Sequence, residues 1–203
     1  MRVPCLLTIC HRDISSENLP HSRRAYCFLT YPSGDIGLWR PDGALQIIDR
    51  KKNIFKLSQG EYVAPEKIEN ILTRSPLIAQ CFVYGDSLQS SLVAVVVPDE
   101  ESTRQWAAES HQDLAREPSF ERVCLSPALK DAIMEDIVML SKESGLHGFE
   151  TVRAVHVSGR PFAVDNDLLT PTFKLKRQKV REAYEKDIDD LYANGVPPPK
   201  SKL

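Results

Sequence analysis

Six consecutive aliphatic residues, Leu92 to Val97, form the longest uninterrupted aliphatic run in the chain. The run is far shorter than the roughly 20 residues needed to cross a bilayer as a helix, and its valines favour an extended strand. A second β-rich run, Ile78 to Tyr84, precedes it across a turn-like stretch that begins Gly85-Asp86-Ser87. The two are expected to pair as the centre of a sheet and to supply the core. Helical pattern then dominates from Glu100 to about Ser144; in its last part Leu129, Ile133, Ile137 and Leu140 form one stripe, ended by Gly145. Thr151 to Val157 alternates as a strand. Leu168 to Arg177 reads as a loop carrying Pro171, and Arg177 to Leu191 as a charged helix with Val180, Tyr184, Ile188 and Leu191 on one face. This order predicts a mixed α+β fold, with no internal repeat.

Towards the N-terminus, Ile36-Gly-Leu-Trp39 and Ala44-Leu-Gln-Ile-Ile48 flank Arg40-Pro-Asp-Gly43, a strong turn between two strand-like runs, hence a β-hairpin. Asn53 to Leu57 reads as a further short strand. Pro65 at a first helical position, Glu66 in the first turn, and Ile68, Ile71 and Leu72 at helical spacing predict a helix that stops before Ser75-Pro76. Residues 1–31 carry no sustained period, and within them only Tyr26 to Tyr31 is strand-like.

Charge narrows the function classes. Lys and Arg number 26 against 28 Asp and Glu, so a surface built throughout for nucleic acid is not expected. Two local clusters depart from that balance: Asp49 to Lys56, net +3, and Lys174 to Arg181, net +5. Both adjoin loops and could gather phosphate oxygens, although charge patterning by itself favours a solvated basic face. The five cysteines are odd in number, spread out and never in a C-x-x-C pair, which fits free thiols in a reducing compartment. The apolar start after Met1-Arg2 contains Pro4 and Thr8 and runs into His11-Arg12-Asp13 without a small-residue cleavage site, so a secretory signal is not expected. No phosphate-loop, H-E-x-x-H or G-x-S-x-G pattern occurs, and the five histidines lack ligand spacing. A hydrolase, a metalloenzyme and a resident metal site are therefore not expected.

Three segments carry a family resemblance. Ser33-Gly-Asp-Ile-Gly37 resembles the T-G-D-I-G motif of the adenylate-forming synthetases, with Ser in place of Thr. Ile47 to Glu69 (IIDRKKNIFKLSQGEYVAPEKIE) is similar, over 23 unbroken residues, to the hinge motif of their long-chain fatty acyl-CoA synthetases. Leu169-Thr-Pro-Thr-Phe-Lys-Leu-Lys-Arg177 resembles the closing motif that holds the catalytic lysine. The resemblance runs from about residue 33 to 192. It implies an enzyme that activates a long-chain fatty acid with ATP and Mg²⁺ to an acyl-adenylate, then transfers the acyl group to coenzyme A. By that carry-over Lys174 is catalytic in adenylation, Asp35 and Arg50 bind the nucleotide, Lys52 is the hinge, and Gly60 lies on the loop of the CoA step. The implied organisation is an unrelated or poorly ordered segment, 1–32; the end of the large AMP-binding domain with the hinge, 33–52; the small C-terminal domain, 53–194; and a flexible tail with Ser-Lys-Leu, 195–203.

The large domain's phosphate loop and acyl tunnel have no counterpart here, so the chain is expected to be a C-terminal fragment, not competent by itself. A non-catalytic module binding nucleotide, CoA or a partner is the alternative; RNA or anionic-lipid binding through residues 174–181 is a weaker third. Ser201-Lys202-Leu203 spells the tripeptide read by the peroxisomal import receptor, implying that receptor as a partner and the peroxisome as the location. Membrane association is left open.

Overall fold

The computed structural model describes residues 5–10, 30–39, 42, 44–50 and 53–194. It divides into two compact units, residues 1–54 and residues 55–203. In the first, β1 (Cys5–Cys10), β2 (Thr30–Trp39) and β3 (Leu45–Arg50) form an antiparallel sheet in that order. The expected hairpin is present as β2 and β3, with Gly37 opposite Ile47 and Trp39 opposite Leu45. Asp42 Oδ1 accepts a hydrogen bond from the Ala44 amide at 3.1 Å, beside the turn. Strand β1 corrects the reading of residues 1–31 as patternless: Cys5 to Cys10 pairs with β2 across a long connection, a partnership that no local period announces. Of the strand expected at Tyr26 to Tyr31, Thr30 and Tyr31 belong to β2, and residues 26–29 lie outside the described residues.

The second unit begins with a two-stranded ribbon, β4 (Phe55–Lys56) and β5 (Tyr62–Val63), followed by α1 (Pro65–Leu72). Its core is a three-stranded sheet of β6 (Ile78–Tyr84), β7 (Leu92–Pro98) and β8 (Val152–Val157), with β7 in the middle. β6 pairs antiparallel to β7, as expected of consecutive runs, and β8 pairs parallel to it after a helical crossover. Every residue of β7 is buried, which accounts for the unbroken aliphatic run: helices cover both faces of the sheet, so no position on the central strand meets water.

Register sorts the side chains between two cores. Cys81, Val83, Ala94, Val96, Val155 and Val157 pack with Ile68 and Leu72 of α1 and with Leu129, Ile133 and Ile137 of α5 (Pro127–Glu143). On the opposite face Phe82, Val93, Val95 and Val97 pack with Phe162, Leu168 and Leu169, with Val180 of α6 (Arg177–Ala183) and with Ile188 of α7 (Glu185–Ala193). The crossover is more broken than the expected helical stretch. It comprises α2 (Glu100–Ser110), α3 (Gln112–Ala115), α4 (Phe120–Cys124) and α5, with Pro118 and Pro127 in the gaps or at a helix start. Asp99 begins it, its carboxylate accepting from the Ser102 amide at 2.9 Å, a bond that holds the carboxyl below its usual range. The predicted helix from Arg177 is likewise two helices, joined at Tyr184 with φ −113°. Among the described residues no helix is long and apolar enough to cross a membrane.

Candidate functional site

Lys174 sits on a closed turn whose base is nailed into the second core. Leu168 and Leu169 are buried, and Leu169 forms an isolated antiparallel bridge with Leu175. Their amides donate to the Ala163 carbonyl at 3.2 and 3.0 Å, and the Lys176 amide donates to the Leu168 carbonyl at 2.9 Å. Between them the chain folds back on itself. The Thr170 amide donates to the Lys174 carbonyl and the Phe173 amide to the Thr170 carbonyl, each at 2.8 Å. The Lys174 amide donates to Thr170 Oγ1 at 3.1 Å, and the Thr170 and Thr172 hydroxyls are 2.9 Å apart. The turn is thus ordered by its own backbone while Lys174 stays exposed. Its ammonium has no hydrogen-bond or ion-pair partner among the described residues. Asp167, Lys176, Lys179 and Arg181, by contrast, are all paired: Lys176 with Asp167, whose carboxyl it lowers, Lys179 with Glu182 and Arg181 with Glu185.

Arg177, three residues on, is anchored most firmly. Its Nη1 and Nη2 donate to the two carboxylate oxygens of Glu69 at 3.0 and 2.6 Å, a bidentate pair, and its guanidinium lies 5.9 Å from the Phe82 ring centroid. Glu69 is only 7% exposed and also accepts from the Val83 amide at 2.8 Å. Burial pushes the Glu69 carboxyl up, against the pull of Arg177 and of the Val83 N–H. This overturns the reading of Arg177 as part of a solvated helix face: its side chain is 19% exposed and bridges α1 to the start of α6. Arg181 follows one turn later, donating to the Tyr84 hydroxyl at 3.0 Å as well as to Glu185. Among the described residues every cation of the run 174–181 except Lys174 thus has a partner within the chain, and the Arg177 pair is the buried one.

Gly60 caps the turn between β4 and β5. Its amide donates to the Leu57 carbonyl at 2.8 Å, and its φ of +92° lies where a side chain is strained. A Cβ there would meet only Lys56 Cε, at 3.8 Å, so backbone conformation and not crowding within this chain demands the glycine. The loop is tied to the β6–β7 connection by the Ser58 amide on the Gln89 carbonyl, 3.0 Å, and by Gln59 Nε2 on the Ser90 carbonyl, 3.1 Å. In the other unit, the β2–β3 register places Asp35 directly across from Arg50, next to a bulge between Ile36 and Gly37. Lys52 and Ser201-Lys202-Leu203 lie outside the described residues. Among the described residues no group of three His, Cys, Asp or Glu side chains could hold a metal ion. Cys81 and Cys124 are buried free thiols, both pushed up by burial, Cys124 to about 11.

The Glu69–Arg177 pair was missed by sequence reasoning, although a signal existed. Glu69 falls four residues after Pro65 and one after Ile68, inside the buried arc of α1, and Arg177 precedes Val180 by three, on the stripe that the core side of α6 and α7 uses.

Comparison with known proteins adds an independent line. Residues 67–129 match the model of the AMP-binding enzyme C-terminal domain. The chain is 54% identical over 164 residues to mouse long-chain-fatty-acid-CoA ligase 6, covering 81% of this chain and 23% of the relative. It is 48% identical over 160 residues to an Arabidopsis thaliana long-chain acyl-CoA synthetase named peroxisomal, covering 79% and 22%. The curated relatives of this kind are thus more than four times as long as the segment they share. Among solved structures, the adenylation domain of a Mycobacterium chelonae carboxylate reductase superposes with TM-score 0.68 at 36% identity, over 81% of this chain and 23% of that one. The corresponding domain from Segniliparus rugosus, solved with AMP and a co-purified carboxylic acid, gives 0.69 at 33%, with the same coverage. The fold is that of the small α+β C-terminal domain of adenylate-forming enzymes. Residues 67–129 thus match the AMP-binding enzyme C-terminal domain, and the chain is homologous, along four fifths of its length, to long-chain-fatty-acid-CoA ligases.

Proposed function

We propose that this chain is the C-terminal part of a long-chain fatty acid-CoA ligase, which forms an acyl-adenylate from ATP and then passes the acyl group to coenzyme A. The observation that carries the reading is Lys174: an exposed ammonium without a partner among the described residues, on a turn fixed by its own backbone, in a surface where the neighbouring cations are paired. Attack of a carboxylate on the α-phosphorus brings two anions together. A cation delivered to the reacting oxygens lowers that barrier, and one that is already paired could not do so without first breaking its pair. In this reading Asp35 accepts from the ribose hydroxyls, and Arg50, opposite it in the register, assists at the nucleotide. In this reading Mg²⁺ arrives with the ATP phosphates. Gly60 lies on the loop of the thioester step. Residues 33–52 are assigned to the end of the large domain and its hinge, 53–194 to the small domain, and 195–203 to a tail whose Ser201-Lys202-Leu203 would engage the peroxisomal import receptor.

Because the chain spans less than a quarter of the relatives' length, we assign it no turnover of its own; the groups that hold ATP and the acyl chain in register belong to the remainder. The hinge assignment has a direct test. In a complete ligase ending in this chain, Lys52→Pro fixes φ and penalises rotation between the two half-reactions. One half-reaction is expected to stay near normal while the other is crippled in single-turnover assays with palmitate. Unchanged rates in both would leave Lys52 a surface cation.

A further inference from the structure

Phe173 is the part of the Lys174 turn that local structure does not explain. Its side chain is 78% exposed, and its backbone φ is 57°, in the left-handed region that aromatic residues rarely occupy. Glycine would suit that conformation better and would remove an apolar ring from water. Asp167 also has positive φ, 61°, but a short carboxylate tolerates it, and this one is held by Lys176. The rest of the turn has evident uses: Leu168 and Leu169 fill the core, and the Thr170 and Thr172 hydroxyls bond to each other. Within this chain nothing accounts for a strained, exposed aromatic beside a cation that has no partner among the described residues.

We propose that the Phe173 ring is a docking anchor, seating in an apolar site on the nucleotide-holding part of the same ligase when Lys174 is brought to the reacting oxygens. The inference rests on the adenylation reading of Lys174. A cation stabilises a phosphoryl transition state best where water is excluded, so the turn must be covered when it acts, and its neighbour Phe173 is covered with it. The occupant in this proposal is the nucleotide-holding part of a complete ligase, which corresponds to the roughly three quarters of the relatives' length that this chain does not span. Burial of one large apolar side chain sets the expected effect at about 10- to 100-fold on the step that requires docking.

Two measurements test it. In the 203-residue chain, Phe173→Gly and Phe173→Ala are expected to leave the urea midpoint unchanged or raised; a fall as large as that of a core truncation would show that the ring is structural and overturn the proposal. In the complete ligase, both variants are expected to slow adenylate formation about 10- to 100-fold and Phe173→Leu to restore most of the rate, with transfer from preformed acyl-adenylate unaffected. Adenylation at the unmutated rate, or equal slowing of both steps, would overturn the anchor while Lys174→Ala still slows adenylation. Loss of the Lys174→Ala effect itself would overturn the adenylation reading and the anchor with it.

Discussion

Lys174→Ala, in a complete ligase that ends in this chain, is expected to slow acyl-adenylate formation by about 10²- to 10³-fold, the usual effect of removing one preorganised charge stabiliser. The structure gives reasons to expect the loss to fall on chemistry and not on folding. Lys174 is exposed, its ammonium holds nothing in place, and the turn that carries it is bonded through main-chain atoms and Thr170 Oγ1, all of which survive truncation to alanine. Transfer from preformed acyl-adenylate to coenzyme A is assigned to the loop of Gly60 and not to Lys174 in the proposed scheme, so its single-turnover rate should be close to that of the unmutated enzyme. Equal slowing of both half-reactions would remove Lys174 from the role assigned to it.

Arg177→Met should destabilise the 203-residue chain by about 3–5 kcal/mol, the typical consequence of leaving one member of a buried ion pair alone. Folding free energies of domains are about 5–15 kcal/mol in total, so the variant should be marginal. Glu69 determines how the loss behaves. Without the guanidinium, burial is opposed only by the Val83 N–H and is reinforced by the charge of Glu66, so the carboxyl is lifted further above its unfolded value. A carboxyl with a raised folded value favours the folded state fully below its unfolded pKa, and that advantage is lost as pH rises through the folded value. The stability deficit of Arg177→Met should therefore grow from acid to neutral pH. Glu69→Gln in the same chain should recover much of it, because the amide still accepts from the Val83 amide and carries no charge. Urea denaturation followed by circular dichroism at several pH values measures all of this. A deficit independent of pH would mean that packing on Phe82, and not charge, is what Arg177 contributes.

What the sequence revealed and what it concealed follow from the range of each interaction. The run Leu92 to Val97, its neighbour Ile78 to Tyr84 and the stripe Leu129 to Leu140 were legible because strand and helix periods are local; the first run and the stripe residues are buried, as are Ile78, Cys81, Phe82 and Val83 of the second run. Strand β1 was not, since Cys5 to Cys10 is a strand only by virtue of pairing with Thr30 to Gly37, far along the chain. The break at Tyr184 was hidden because the buried stripe Val180, Tyr184, Ile188 continues through it. At the site, Lys174 could be named from the motif around it, whereas its lack of a partner could not. That depends on where Asp167, Glu182, Glu185 and Glu69 find their own cations. Arg177 was misread for the same reason: charge patterning sees a basic run, and only the folded chain brings Glu69 to it from 108 positions away.

Pyrophosphate release by the purified 203-residue chain, given ATP, Mg²⁺, palmitate and coenzyme A, tests most directly the claim that this chain supplies the catalytic lysine and its turn but not the site that holds the reactants. The account predicts a folded chain with no chain-dependent release, because a cation stabilises a transition state only where ATP and the carboxylate are already aligned. Robust release that disappears in Lys174→Ala would contradict it and place a complete nucleotide site within these residues.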